Sequence, residues 1–306
     1  MDVSFTEFMS ILAMQGFNGL SFFCVLLLMG LGLAIIFGQM GVINMAHGEF
    51  LTIGAYTTYL FSHIAHTWLP SLANVYFIFA IVGGFVAAFA AGYVMERLII
   101  RHLYRRPLDS LLATWAIGLA MQQAFRSTFG AKEVSATLPD WLMGSWKPSE
   151  AIDIPLNGLF VMALTIALTI TVLLFLYRSR WGLHVRATVQ NRVMSGAVGI
   201  NTKRVDRITF AVGCGIAGVA GAAFTTIGST GPTSGSLYIV DSFLVVVFGG
   251  AASLLGTVAS AFTIAQAQST LEFFMTGSMA KVLTLVTIVL ILLARPQGLF
   301  AIKVRK

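Results

Sequence analysis

From Ser21 to Met40 the chain reads SFFCVLLLMGLGLAIIFGQM, with no charged residue. A run of about 20 apolar residues is long enough to cross the hydrocarbon core of a bilayer as a helix. This one lies inside a longer uncharged stretch, because no Asp, Glu, Lys or Arg occurs between Glu7 and Glu49. Two more such stretches run from Glu49 to Glu96 and from Arg207 to Asp241. Each has room for at least one crossing. Across all 306 residues, 57% are hydrophobic and 10% charged, against about 25% charged in ordinary soluble domains. The mean hydropathy is +0.87, so a soluble core of this size has no room for the apolar side chains. The chain reads as an all-α, polytopic membrane protein forming one transmembrane domain over residues 1–306.

The charges fix sidedness. The net charge of +7 is not spread as a nucleic-acid-binding surface would be. The basic residues cluster between apolar runs: Arg97, Arg101, Arg105 and Arg106; then Arg178, Arg180, Arg186, Arg192, Lys203, Arg204 and Arg207; then Arg295, Lys303, Arg305 and Lys306. Such segments stay on the cytoplasmic side. The segment 126–153 balances Arg126, Lys132 and Lys147 against Glu133, Asp140, Glu150 and Asp153, and is placed outside. With Asp2 and Glu7 where a signal peptide carries basic residues, residues 1–16 read as an interfacial or external helix. Parity then predicts nine spans, near 17–37, 42–62, 72–95, 110–128, 155–177, 208–229, 236–252, 254–272 and 279–294. The C-terminus falls inside.

Four spans on each side of a central one suggest an inverted internal repeat. Gly38–Gly41 followed by Glu49 corresponds to Gly228–Pro232 followed by Asp241; chance spacing of glycines is the alternative. Small residues recur every fourth position at Gly84, Ala88 and Gly92, at Gly213, Ala217 and Gly221, and at Ala252, Gly256 and Ser260. These stripes predict close helix packing. Cys24 and Cys214 sit in apolar runs and read as buried side chains.

The stretch Gly41–Tyr56, GVINMAHGEFLTIGAY, places Asn44, His47 and Glu49 at the start of an apolar run. Ionisable groups at membrane depth are costly and face a bundle interior or a wet cavity. Two readings stand side by side. The cluster lines or gates a solute path, together with Asp241, or Asn44 and Glu49 satisfy backbone groups freed at the preceding glycine break. A metal site from His47 and Glu49 is too poor in ligands. Residues 187–198 read as one amphipathic helix with Val189, Val193, Met194, Ala197 and Val198 on a face. Gly199 stops it, and Asn201 or Thr202 caps the next helix. That face docks on a cytoplasmic partner or lies on lipid; its modest apolar area favours the partner. The chain has no G-x-x-x-x-G-K-[ST] loop and no nucleophile elbow, so it neither cradles ATP in that way nor resembles a hydrolase.

Taken together, these stretches resemble the permease subunits of branched-chain-amino-acid-type ABC importers. The matching motifs are Gly41–Glu49 with Gly54-Ala55-Tyr56, Arg106-Pro107, Arg186-Ala187, Gly199–Val205, Phe248–Gly256 and Arg295–Phe300. Within the family, Met40–Phe50, Leu112–Trp115, Gln190–Met194 and Tyr238–Asp241 look like the urea-transport branch. Ala251, Ala252 and Gln39 depart from the pattern. The resemblance implies a second homologous permease subunit, two cytoplasmic ATPase subunits carrying ATP and Mg, and an external solute-binding protein, all at a bacterial inner membrane. It implies no cofactor in this chain and no enzymatic role. The loop 187–200 is then a coupling helix, with Arg186, Ala187, Asn191, Met194, Ala197, Val198 and Gly199 at the ATPase contact. Branched-chain or related amino acids or amides are the alternative cargo to urea. A stand-alone channel or proton-coupled carrier using Glu49 is the rival class.

Overall fold

The computed structural model describes residues 5–104, 106–149, 152–250, 253–296 and 298–299. The tail 301–306, with its basic residues, and Ala251 and Ala252 lie outside the described residues. In chain order the helices are α1 (Phe5–Met40), α2 (His47–Trp68), α3 (Tyr76–Leu98), α4 (Pro107–Phe129) and α5 (Leu156–Arg178). They continue as α6 (Arg180–Gln190), α7 (Arg192–Ala197), α8 (Thr202–Phe224), α9 (Ser234–Gly249), α10 (Leu254–Phe274) and α11 (Gly277–Ala294). A short antiparallel hairpin of β1 (Ser145–Ser149) and β2 (Ile152–Pro155) precedes α5. Each apolar run read from the sequence overlaps one helix, with α2 and α8 displaced by about six residues from the runs 42–62 and 208–229. Five helices are long and apolar enough to cross a bilayer by length and composition, namely those over 11–38, 76–102, 156–178, 202–224 and 277–294.

Two boundaries differ from the sequence reading. The N-terminal helix and the first span are one helix from Phe5 to Met40. Nothing breaks it at Gly16, whose Cα faces open space, and an isolated glycine costs a helix only about 1 kcal/mol. The inner-loop helix is two helices, because Asn191 takes an extended conformation (φ −153°, ψ 99°) and its side chain caps the Met194 N–H. Elsewhere the punctuation follows the sequence. Gly41 (φ +63°) turns the chain after α1, and Gly199 (φ +87°) ends the loop helix. Asn201 accepts from the Arg204 N–H at 3.1 Å to start α8.

Helix α8 is the hub of the bundle. From Phe210 to Phe224 nearly every residue is buried, and it packs against α1, α2 and α3. The small-residue stripes make this possible. A Cβ on Gly54 would fall on the Gly218 carbonyl, one on Gly218 against the Gly84 carbonyl and Ala88, and one on Gly221 on the Leu51 carbonyl. Two contacts are reciprocal: Gly32 and Gly213 each face the other's carbonyl, and so do Gly48 and Gly235. These pair α1 with α8 and α2 with α9, the counterparts in the inverted repeat read from the sequence. Cys24 and Cys214 are buried and unbridged.

Partners also sort by side. The segment 130–144 meets the end of α2 and the start of α3, where the Thr137 carbonyl accepts from Ser62 and Tyr76 hydroxyls. It pairs with the turn after α8 through Val134 and Thr230. At the other end, the basic segments around 97–106 and 178–207 meet each other, with Arg207 of α8 bonded to Glu96 of α3. The two loops assigned to the cytoplasm therefore share one end of the bundle.

Candidate functional site

The turn Gly41–Ala46 brings α2 into the bundle interior rather than starting it at the rim. Asn44 Oδ1 accepts from the Ala46 N–H at 3.1 Å, and the Met45 N–H donates to Thr114 Oγ1 of α4 at 3.0 Å. His47 is fully buried, with Nε2 3.2 Å from the Met29 carbonyl in the middle of α1. Glu49 is also buried, and its Oε1 accepts from Gln122 Nε2 of α4 at 2.7 Å. Thr52, one turn on, accepts from the Gly235 N–H at 3.0 Å. That bond satisfies one of the free donors at the start of α9. The N-terminal ends of α2 and α9 thus meet inside the protein.

The cluster has unused hydrogen-bonding capacity. Asn44 Nδ2, His47 Nδ1, Glu49 Oε2 and Tyr56 OH are buried and make no hydrogen bond among the described residues. Buried polar groups are normally paired, so this end of α2 offers both donors and acceptors to something polar. Asn44 serves both readings made from the sequence: its oxygen shapes the turn and its amide nitrogen remains free.

Asp241 does not join this group. It sits on α9 with Lys281 Nζ of α11 at 2.7 Å, outside ideal hydrogen-bond alignment, while Lys281 also donates to the Leu237 carbonyl at 2.9 Å. The pairs Glu49–Gln122 and Asp241–Lys281 link α2 to α4 and α9 to α11, which are again repeat counterparts. Sequence reasoning missed Gln122 and Lys281, although a lone Lys in the run 279–294 and an amide inside a span were signals available to it.

The proposed coupling residues divide by role. Val193, Met194 and Val198 are strongly exposed, at 85%, 61% and 70%, and Ala197 is exposed beside them. This is an apolar knob at the end of the bundle that carries the basic loops, with Val189 half-exposed on α6. Arg186 is exposed too but is tied back to the end of α5, its guanidinium donating to the Leu176 carbonyl and lying 5.5 Å over the Tyr177 ring. The Ala187 carbonyl accepts from the Asn191 N–H at 3.0 Å. Asn191 and Gly199 bound the knob, one as its cap and the other as its stop.

A family model described as "Branched-chain amino acid transport system / permease component" matches residues 16–292. The high-affinity branched-chain amino acid transport system permease protein LivH of Escherichia coli is 26% identical over 293 residues, covering 93% of this chain and 94% of the relative. The corresponding permease BraD of Pseudomonas aeruginosa is 26% identical over 289 residues, covering 92% and 93%. No solved structure matches significantly. With a buried polar cluster where two helix starts meet and an apolar knob on the basic side, the chain belongs to the family of branched-chain-amino-acid-type ABC transporter permeases.

Proposed function

We propose that this chain is the solute-conducting subunit of an ATP-driven importer for a branched-chain or related amino acid. Residues 1–306 act as one permease domain, and α7 carries the contact to an ATPase. The observation that carries this reading is the Val193–Met194–Val198 knob, exposed on a short capped helix on the same side as the basic loops. Exposed apolar groups on a small rigid element suit a protein groove. The partners are a second permease subunit, two ATPase subunits binding ATP and Mg, and an external binding protein that performs most of the selection. The C-terminal tail lies in the cytoplasm of a bacterial cell. Asn44, His47 and Glu49 form part of the solute path. Asp241 holds α9 to α11 beside it.

A second reading, urea, rests on the chemistry of the cluster. Asn44, Glu49 and Gln122 provide carbonyl, carboxyl and amide groups, the complement of a small neutral amide, and among the described residues no Lys or Arg bonds to them. The test is uptake of radiolabelled leucine and of radiolabelled urea by cells that express the complete importer. ATP-dependent leucine uptake, abolished by loss of the ATPase subunits, supports the first reading. Urea uptake with the same dependence supports the second. Uptake that survives loss of the ATPases removes both and leaves a channel or carrier.

A further inference from the structure

The knob on α7 has to be joined mechanically to the helices that line the solute path, and the side chains that join it are not those that face a partner. Arg192, the first residue of α7, forms an ion pair with Asp206 in the second turn of α8. Its guanidinium also lies 5.5 Å over the ring of Tyr104, in the segment between α3 and α4. The Tyr104 hydroxyl donates to Glu96 Oε1 of α3 at 2.6 Å. The other Glu96 oxygen accepts from Arg207 Nε at 3.0 Å, and Arg207 stacks 5.3 Å over Tyr93 of α3 and donates to its hydroxyl at 3.3 Å. Asp206 and Arg207 are neighbours, so α7, α8, α3 and the α3–α4 segment close one circuit of alternating charge. Burial and the Glu96 carboxylate hold the Tyr104 phenol far above its usual range, so it remains a donor at any physiological pH.

We infer that Arg192 and Asp206 are positioning residues that transmit movement of the ATPase-bound α7 to α8, and through α8 to the start of α2. This inference rests on the ATP-driven reading above. Three observations support it. Among the described residues, Arg192–Asp206 is the ion pair that joins α7 to the bundle. The acids are sunk in the protein, with Asp206 and Glu96 at 4% and 1% exposure, while the Arg192 side chain is half-exposed. The pair thus ties a half-exposed residue of α7 to a carboxylate in the interior, and because removing one partner of a buried pair also costs stability, folding has to be measured beside coupling. Finally, α8 meets α2 at Gly54/Gly218 and Leu51/Gly221 without intervening side chains. A shift of α8 is therefore passed to the turn that carries Glu49 rather than absorbed by rotamers.

The experiment compares Arg192→Met, Arg192→Lys, Asp206→Asn and the Met/Asn double variant in the full importer. It measures leucine uptake in cells and ATP hydrolysis by the purified complex with and without leucine-loaded binding protein. Asp206 is buried and presents no surface to a partner, so Asp206→Asn is expected to keep the ATPase subunits bound and basal hydrolysis unchanged. It should lose stimulated hydrolysis and uptake by roughly tenfold, within the range of ordinary coupling effects. Arg192→Met should lose uptake similarly, Arg192→Lys should recover most of it, and the double variant should be no worse than either single. Full uptake in Arg192→Met, or losses that multiply in the double variant, overturns the inference. So does a loss that merely follows membrane abundance and thermal midpoint, since that marks a structural bond. Absence of ATP-dependent uptake in the unmodified importer instead overturns the reading beneath it.

Discussion

Replacing Glu49 with Gln and with Leu separates a hydrogen-bonding role from a titrating one. In the structure Glu49 uses one oxygen, which accepts from Gln122 at 2.7 Å, while Oε2 makes no bond among the described residues. Glu49→Gln keeps an acceptor for Gln122 and turns the unused oxygen into an amide donor. Hydrogen-bonding capacity toward a polar solute survives, and substantial uptake is the expected result. Glu49→Leu leaves the buried Gln122 amide unpaired, at about 1–3 kcal/mol, and removes the free oxygen as well. If that cost falls on the conducting state, it corresponds to a loss of roughly 5- to 150-fold. Gln122→Leu should reproduce much of it, because Glu49 then has no donor for either oxygen. The assay is radiolabelled leucine and urea uptake at matched membrane abundance. If Glu49→Gln is as inactive as Glu49→Leu, the hydrogen-bonding account fails and a proton-coupled carrier gains. If both variants transport normally, Glu49 is not on the path.

Met194→Asp should abolish uptake while leaving membrane insertion intact, since Met194 is exposed and a carboxylate becomes costly only in a desolvated contact, at several kcal/mol; co-purification of the ATPase subunits reads this directly. Gly54→Leu should lower membrane abundance, because even its Cβ meets the Gly218 carbonyl and overpacking costs about 1–3 kcal/mol or more. Gly16→Ala, with open space around it, is the control and should be neutral or slightly stabilising. Lys281→Met should lower the thermal midpoint in detergent by leaving buried Asp241 unpaired, at about 1.5–3 kcal/mol; adding Asp241→Asn should restore part of that loss.

The helices were legible because apolar length and local punctuation decide them. Uncharged runs marked the helices, five of which are long and apolar enough to cross a bilayer, while Gly41, Gly199 and Asn201 marked turns whose backbone chemistry is written in one or two residues. Asn191 misled for a related reason. The apolar pattern of 187–198 continues through it, and only its side-chain bond to the Met194 N–H makes it a cap rather than a helical residue. The stretch Asn44–Glu49 stood out because polar groups are rare in such a run. What they bond to was not legible. Gln122 lies 73 residues away on another helix, and nothing local in either segment encodes the pairing. Arg192–Asp206 and Glu96–Arg207 were hidden differently. Their charges were already explained as markers of the cytoplasmic side, and composition does not show which basic residues also hold helices together.

The two kinds of feature are connected through glycine. Where lipid supplies no hydrophobic drive between helices, close backbone approach is the main route to tight packing. The stripes at Gly213, Gly218 and Gly221 provide it along α8. Their cost is that no side chain remains at these crossings to take up small displacements. Close-packed interfaces of this kind switch between arrangements more readily than they deform. The reciprocal contacts Gly32–Gly213 and Gly48–Gly235 place two such interfaces around the start of α2, each joining one half of the repeat to the other. Beside them, the segment carrying Asn44, His47 and Glu49, together with Tyr56, has four buried polar atoms without a partner among the described residues. A solute that pairs with those atoms stabilises whichever arrangement presents them, and α8 carries that preference to the Arg192–Asp206 pair. By linkage, an ATPase that holds α7 in one position must bias the same equilibrium from the other end.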